Sequence, residues 1–114
     1  MASVTFDISE KWKARLASFS RWLPAIIELS LLAPKTPAAE AVSAVIEFLV
    51  GNPSPEAVHA YRLAKASELR VATLLEQNRE TGLDEREAQE LDEYLELEQA
   101  LRKIKAELTL VGHV

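Results

Sequence analysis

The chain has 114 residues, 48% of them hydrophobic, with a net charge of −5 and no cysteine. That length and apolar share predict one globular unit rather than a disordered chain, and the missing cysteines exclude disulfides, thiolate metal sites and cysteine nucleophiles. The longest apolar runs, WLPAIIELSLLAP and AVSAVIEFLV, are broken by Glu28 and Glu47 and stay below the roughly 20 residues of a membrane-spanning helix; no secretion signal leads the chain, so a cytoplasmic protein with no membrane partner is expected.

Charge is unevenly placed. Residues 1–35 carry Lys11, Lys13, Arg15, Arg21 and Lys35 against Asp7, Glu10 and Glu28, while the remainder is strongly acidic. The first part is therefore the one able to approach an anion. Val4, Phe6 and Ile8 alternate with Ser3, Thr5 and Asp7, the period of a strand with one apolar face. No second alternating run follows, so the expected hydrogen-bonding partner is the same strand of a second copy. Ser9 caps an expected helix over 10–19, with Trp12, Leu16 and Phe19 on one stripe. SRWLPAIIELSLLAP reads as a second helix with Pro24 near its first position. Its apolar residues run nearly all the way round, which predicts burial, in this case inside a dimer.

Thr36-Pro37 opens a third helix that ends at Gly51-Asn52-Pro53, and Ser54-Pro55 opens a long helical stretch to about Arg79 with a break expected near 64–67. After Thr81-Gly82, Asp84 and Glu87 form a capping box for a last helix over about 85–110. Tyr94, Leu97, Leu101, Ile104, Leu108 and Val111 alternate spacings of three and four, a heptad seam that asks for a partner helix. Residues 68–79 supply it through the turn at Gly82, as an antiparallel hairpin.

The order strand, helix, turn, helix over residues 3–33 resembles the ribbon-helix-helix fold of bacterial repressors and antitoxins. The resemblance implies a homodimer in which two strands form a ribbon above four interlocked helices, with Val4, Phe6, Ile8, Leu16, Ile26 and Ile27 at the interface. It further implies that the ribbon enters the major groove of operator DNA, Ser3 and Thr5 toward the bases and Lys11, Lys13, Arg15 and Arg21 toward phosphates. VIEFLVGNPSPEAV and LLEQNRETGLDEREAQELDEYLELEQALRKIKA are similar to a group of small cyanobacterial proteins whose genes lie beside a small endonuclease-like gene, the layout of a toxin–antitoxin pair. That second likeness implies binding of a nuclease-like partner protein.

The acidic stretch Asp84–Glu98 is the natural docking face for such a partner: Glu90 and Glu93 supply the field, and Tyr94, Leu97 and Leu101 supply apolar anchors. The plainer reading is a solvated helix face whose first acids suit the helix dipole. Trp12 and Trp22 read as core, and His59 and His113 each stand without the companion ligands a metal site needs. The expectation is a mostly α-helical protein: an N-terminal strand paired between chains in a segment 1–35, and a helical region 36–114 ending in an acidic helical hairpin. Its expected function is that of an antitoxin-like dimeric repressor, without enzymatic activity, cofactor or metal. Asp7 on the outward strand face, and the absence of Arg or Lys from that strand, support an alternative: an interaction or scaffold protein without DNA affinity. A carboxylate-dependent hydrolase is a second alternative, set aside because no nucleophile, metal or glycine-rich site accompanies the carboxylates.

Overall fold

A computed structural model describes residues 21–111, which form five α-helices. Helix α1 spans Leu23–Ser30, α2 Ala38–Val50, α3 Pro55–Ala60, α4 Lys65–Glu80 and α5 Glu85–Val111. Among the described residues there is no strand and no sheet, which overturns the expected architecture of a strand-bearing ribbon assembly. The strand residues Ser3, Val4, Thr5, Phe6 and Ile8, together with the first expected helix, lie outside the described residues. The physical reason for the correction lies in α1. Leu29 and Trp22 are buried within the chain itself, because α1 packs on α2 and α5. Nor is α1 buried all round: Leu23, Ile27 and Leu31 are 45%, 52% and 77% exposed. The helix needs no second copy to cover its core-facing side.

Helix ends follow local chemistry. Pro24 sits in the first turn of α1, where its missing N–H leaves no helical bond unmade. The chain leaves α1 through Ala33, whose φ of 42° is left-handed, and Pro34. At the end of α2 the left-handed residue is Asn52 (φ 56°) rather than Gly51, a position asparagine tolerates, and Pro53 prevents continuation. Ser54 Oγ accepts from the Ala57 amide at 3.1 Å and starts α3. The helical stretch beyond it is interrupted at residues 61–64, earlier than expected; Ser67 lies inside α4. Gly82 at φ 85° reverses the chain into α5, its amide donating to the Gln77 carbonyl. The capping box forms there: the Glu87 amide donates to Asp84 Oδ1 at 2.8 Å and the Asp84 amide to Glu87 Oε1 at 3.2 Å.

Helix α5 is the axis of the fold and packs against each of the other four helices. At 27 residues it is about 40 Å long. Of its seam residues Tyr94, Leu97, Leu101 and Ile104 are buried and Leu108 is partly buried; Leu91 joins them in one cluster with Leu29, Val45, Leu49, Val58 and Leu74. The first half of α5 meets α4, and the second half carries α1 and α3. Phe48 and Tyr61 stack with ring centroids 4.5 Å apart and close the core between the end of α2 and the α3–α4 connection.

Candidate interaction surface

Helix α1 runs antiparallel to α5, with Glu28 opposite Lys103 and Leu32 opposite Ala100. Because 3.6 residues make a turn, Leu23, Ile27 and Leu31 stand one above another on the flank of α1 that α5 does not cover. Ile27 and Leu31 form one wall of an open groove of about 680 Å³, and Ile104 and Leu108 of α5 form its other apolar side. Trp22 lies at its base, 3% exposed, with its indole Nε1–H donating to the Pro53 carbonyl at 2.9 Å. The tryptophan is thus structural, tying the start of α1 to the α2–α3 turn.

The charges around this groove balance. Lys103 Nζ and Glu28 Oε1 are 2.9 Å apart across one rim, and the hydrogen bond that Lys103 donates to Glu28 raises the Lys103 pKa. Arg21 and Glu107 stand along the same lining. With two positive and two negative side chains the groove carries no net charge of its own above its apolar floor, which leaves long-range attraction to the acidic body of the chain. Among the described residues nothing covers Ile27 and Leu31.

The acidic residues chosen from sequence occupy other roles. Glu90 is 5% exposed and held bidentately by Arg70, Nε and Nη2 each 2.9 Å from a carboxylate oxygen. That charge-assisted pair, with hydrogen bonding as the leading cause, lowers the Glu90 pKa and locks α4 to α5. Glu93 reaches back to the start of α2: the amides of Lys35 and Thr36 donate to its two oxygens at 2.9 and 3.1 Å, and Thr36 Oγ1 donates as well. Burial works to raise the Glu93 pKa, but the hydrogen bonds from Thr36, Lys35 and Gln89 outweigh it and the pKa is lowered. Glu93 therefore pins the segment that leads into α2 from a different helix, and Thr36 Oγ1, which it holds, accepts from the Ala38 amide at 3.3 Å. Tyr94, Leu97 and Leu101 are 4%, 0% and 8% exposed, so their apolar surface is spent inside the chain.

The remaining sequence candidates scatter. Arg21 is exposed beside the groove, Ile26 is half-buried and Ile27 is open on it. Ser3, Thr5, Lys11, Lys13, Arg15, Val4, Phe6, Ile8 and Leu16 lie outside the described residues. Sequence reasoning missed Leu23, Leu31 and Lys103. The spacing of four among Leu23, Ile27 and Leu31 is readable, but in a helix with apolar residues on several faces it does not say which stripe stays open. Among the described residues no three or more acidic or histidine side chains cluster in a way that could hold a metal, and no helix is long and apolar enough to cross a membrane. No protein-family model, curated protein or solved structure matches this chain.

Proposed function

We propose that the chain is a non-catalytic interaction protein whose α1–α5 groove receives an amphipathic helix from a basic partner protein. The observation that carries this reading is the exposed pair Ile27 and Leu31 along a groove whose floor is also apolar, with Leu23 exposed one turn before them on α1. A helix with apolar residues spaced by three and four fits such a groove. Covering each exposed aliphatic side chain contributes about 1–2 kcal/mol. Charge selects the partner: residues 21–111 hold sixteen acidic against ten basic side chains, so a positive partner is drawn in and a negative one is not. An antitoxin-like role, in which the partner is a nuclease with a positive substrate groove, is the specific form this function takes. The DNA-binding half of that role draws no support from the described residues, where only Arg21 of its six side chains falls.

The test compares the native chain with the double variant Ile27→Glu, Leu31→Glu. Both positions are exposed, so the variant keeps its thermal midpoint. Proteins retained by the native chain and lost by the variant are purified, and binding is measured with purified components at low and physiological salt. A basic protein that binds the native chain, loses roughly tenfold or more in affinity on the variant, and associates more slowly as salt rises is the expected result. Equal binding to both chains refutes the groove as the docking site, and self-association abolished by the same variant assigns it to a second copy.

A further inference from the structure

On the far side of α5 from the groove, the α3–α4 connection and the second half of α5 enclose an open hollow of about 710 Å³, within the size range of small-molecule sites. Its floor is Leu63 and Leu101, both buried, and its wall is Tyr61, the ring that stacks on Phe48. Three cations of this acidic chain converge on it. Arg62 comes from the connection; Arg102 and Lys105 stand one turn apart on α5. Lys105 is held in place, its Nζ donating to the Tyr61 carbonyl at 2.6 Å. Among the described residues the side chains of Arg62 and Arg102 make neither a hydrogen bond nor an ion pair, although Glu98 lies one helical turn before Arg102 and lines the same hollow with Glu68. Two guanidinium forks with open donors, beside a fixed ammonium and above an apolar and aromatic surface, form an arrangement suited to an oxyanion on a ring-bearing body. The two glutamates then meet hydroxyl groups rather than the anion.

We propose that this hollow binds a small phosphorylated metabolite of the nucleoside monophosphate type. The phosphate sits between Arg62, Arg102 and Lys105, the base lies against Tyr61, and Glu68 and Glu98 accept from sugar hydroxyls. The site is independent of the α1–α5 groove and does not rest on the function proposed for it.

The experiment is a calorimetric titration of the full chain at 0.15 M salt, on the order of physiological ionic strength, with three probes: adenosine monophosphate, inorganic phosphate and adenosine. The monophosphate is expected to bind tightest, phosphate more weakly and adenosine weakest. Arg62→Gln and Arg102→Gln are each expected to weaken the monophosphate by roughly tenfold. Both side chains are exposed, so circular dichroism and the thermal midpoint stay those of the native chain. Arg79→Gln, outside the hollow and paired with Glu76, leaves the affinity unchanged. No heat from the monophosphate at millimolar concentration overturns the proposal. So does adenosine binding as well as its phosphate, or equal weakening by Arg79→Gln, which would mark diffuse attraction. An acidic peptide that binds more tightly than the monophosphate and depends on the same arginines assigns the hollow to a protein ligand and overturns it too.

Discussion

Glu93→Ala removes the acceptor that closes the start of α2, and the cost is derivable from the contacts it breaks. Two backbone N–H groups and one hydroxyl lose a charged partner 57–58 residues away in sequence. The Lys35 amide is exposed, so water replaces most of its bond; the Thr36 amide and hydroxyl are part-buried and are not so readily resolvated. Counting mainly those two, with a hydrogen bond to a charged group contributing about 1.5 kcal/mol, the loss is about 2–3 kcal/mol. For a domain of this size that is roughly 8–15 °C in Tm. Glu93→Gln keeps an acceptor but loses the charge, and about 1 kcal/mol is expected. Because the folded-state pKa of Glu93 is lowered, its contribution is present above the unfolded carboxylate pKa, about 4.3, and fades as pH falls through the lower folded value. Urea unfolding followed by circular dichroism, at neutral pH and in steps down to pH 3, measures both effects. The native chain loses its advantage over Glu93→Gln as pH drops. A loss below about 0.5 kcal/mol for Glu93→Ala, or a pH-independent gap between native and Glu93→Gln, refutes the stabilising role of these bonds.

Arg70→Met leaves the nearly buried Glu90 carboxylate without its partner; as Arg70 is itself 40% exposed, about 1–3 kcal/mol is expected at neutral pH, shrinking in acid as Glu90 takes up a proton, by the same urea measurement. Leu97→Ala opens a cavity at a fully buried point of α5 and costs about 2–5 kcal/mol, read as a lower urea midpoint with unchanged slope. Gly82→Ala meets no atom within 4 Å, so its penalty is the left-handed backbone alone, about 1 kcal/mol, and a larger loss would point to a contact the turn does not show.

Local signals in the sequence transferred well where the chemistry is local. The Asp84–Glu87 box, the turn at Gly82 and the proline-marked starts after Trp22, Thr36 and Ser54 all depend on neighbours within five residues, and each stands where the pattern places it. The break before α4 was displaced because nothing caps it: the N-terminal position is Ala64, with no side-chain bond, and the interruption is maintained by tertiary contacts of Tyr61 and Leu63. Periodicity marked Tyr94, Leu97 and Leu101 as one face but could not say whether that face was already occupied. Glu90 and Glu93 looked like solvated or docking charges because their partners, Arg70 and the start of α2, are distant in sequence or are backbone groups. The ribbon expectation failed at the same level. Apolar residues on several faces of α1 suggested burial by a second chain, whereas α2 and α5 of its own chain cover one side and leave the other open.

Helix α5 also limits how this protein can change in length. Glu90 must face α4, Glu93 must face the start of α2, and Leu97, Leu101 and Ile104 must follow in phase. Each residue turns the helix by about 100°, so inserting or deleting one between Glu93 and Leu97 swings the whole second half out of register. Lys103 would leave Glu28, and Lys105 would leave the Tyr61 carbonyl. Seven added residues would nearly restore the phase but carry the second half about 10 Å along the axis, away from the same partners, so α5 between Glu90 and Lys105 is fixed in length as well as in phase.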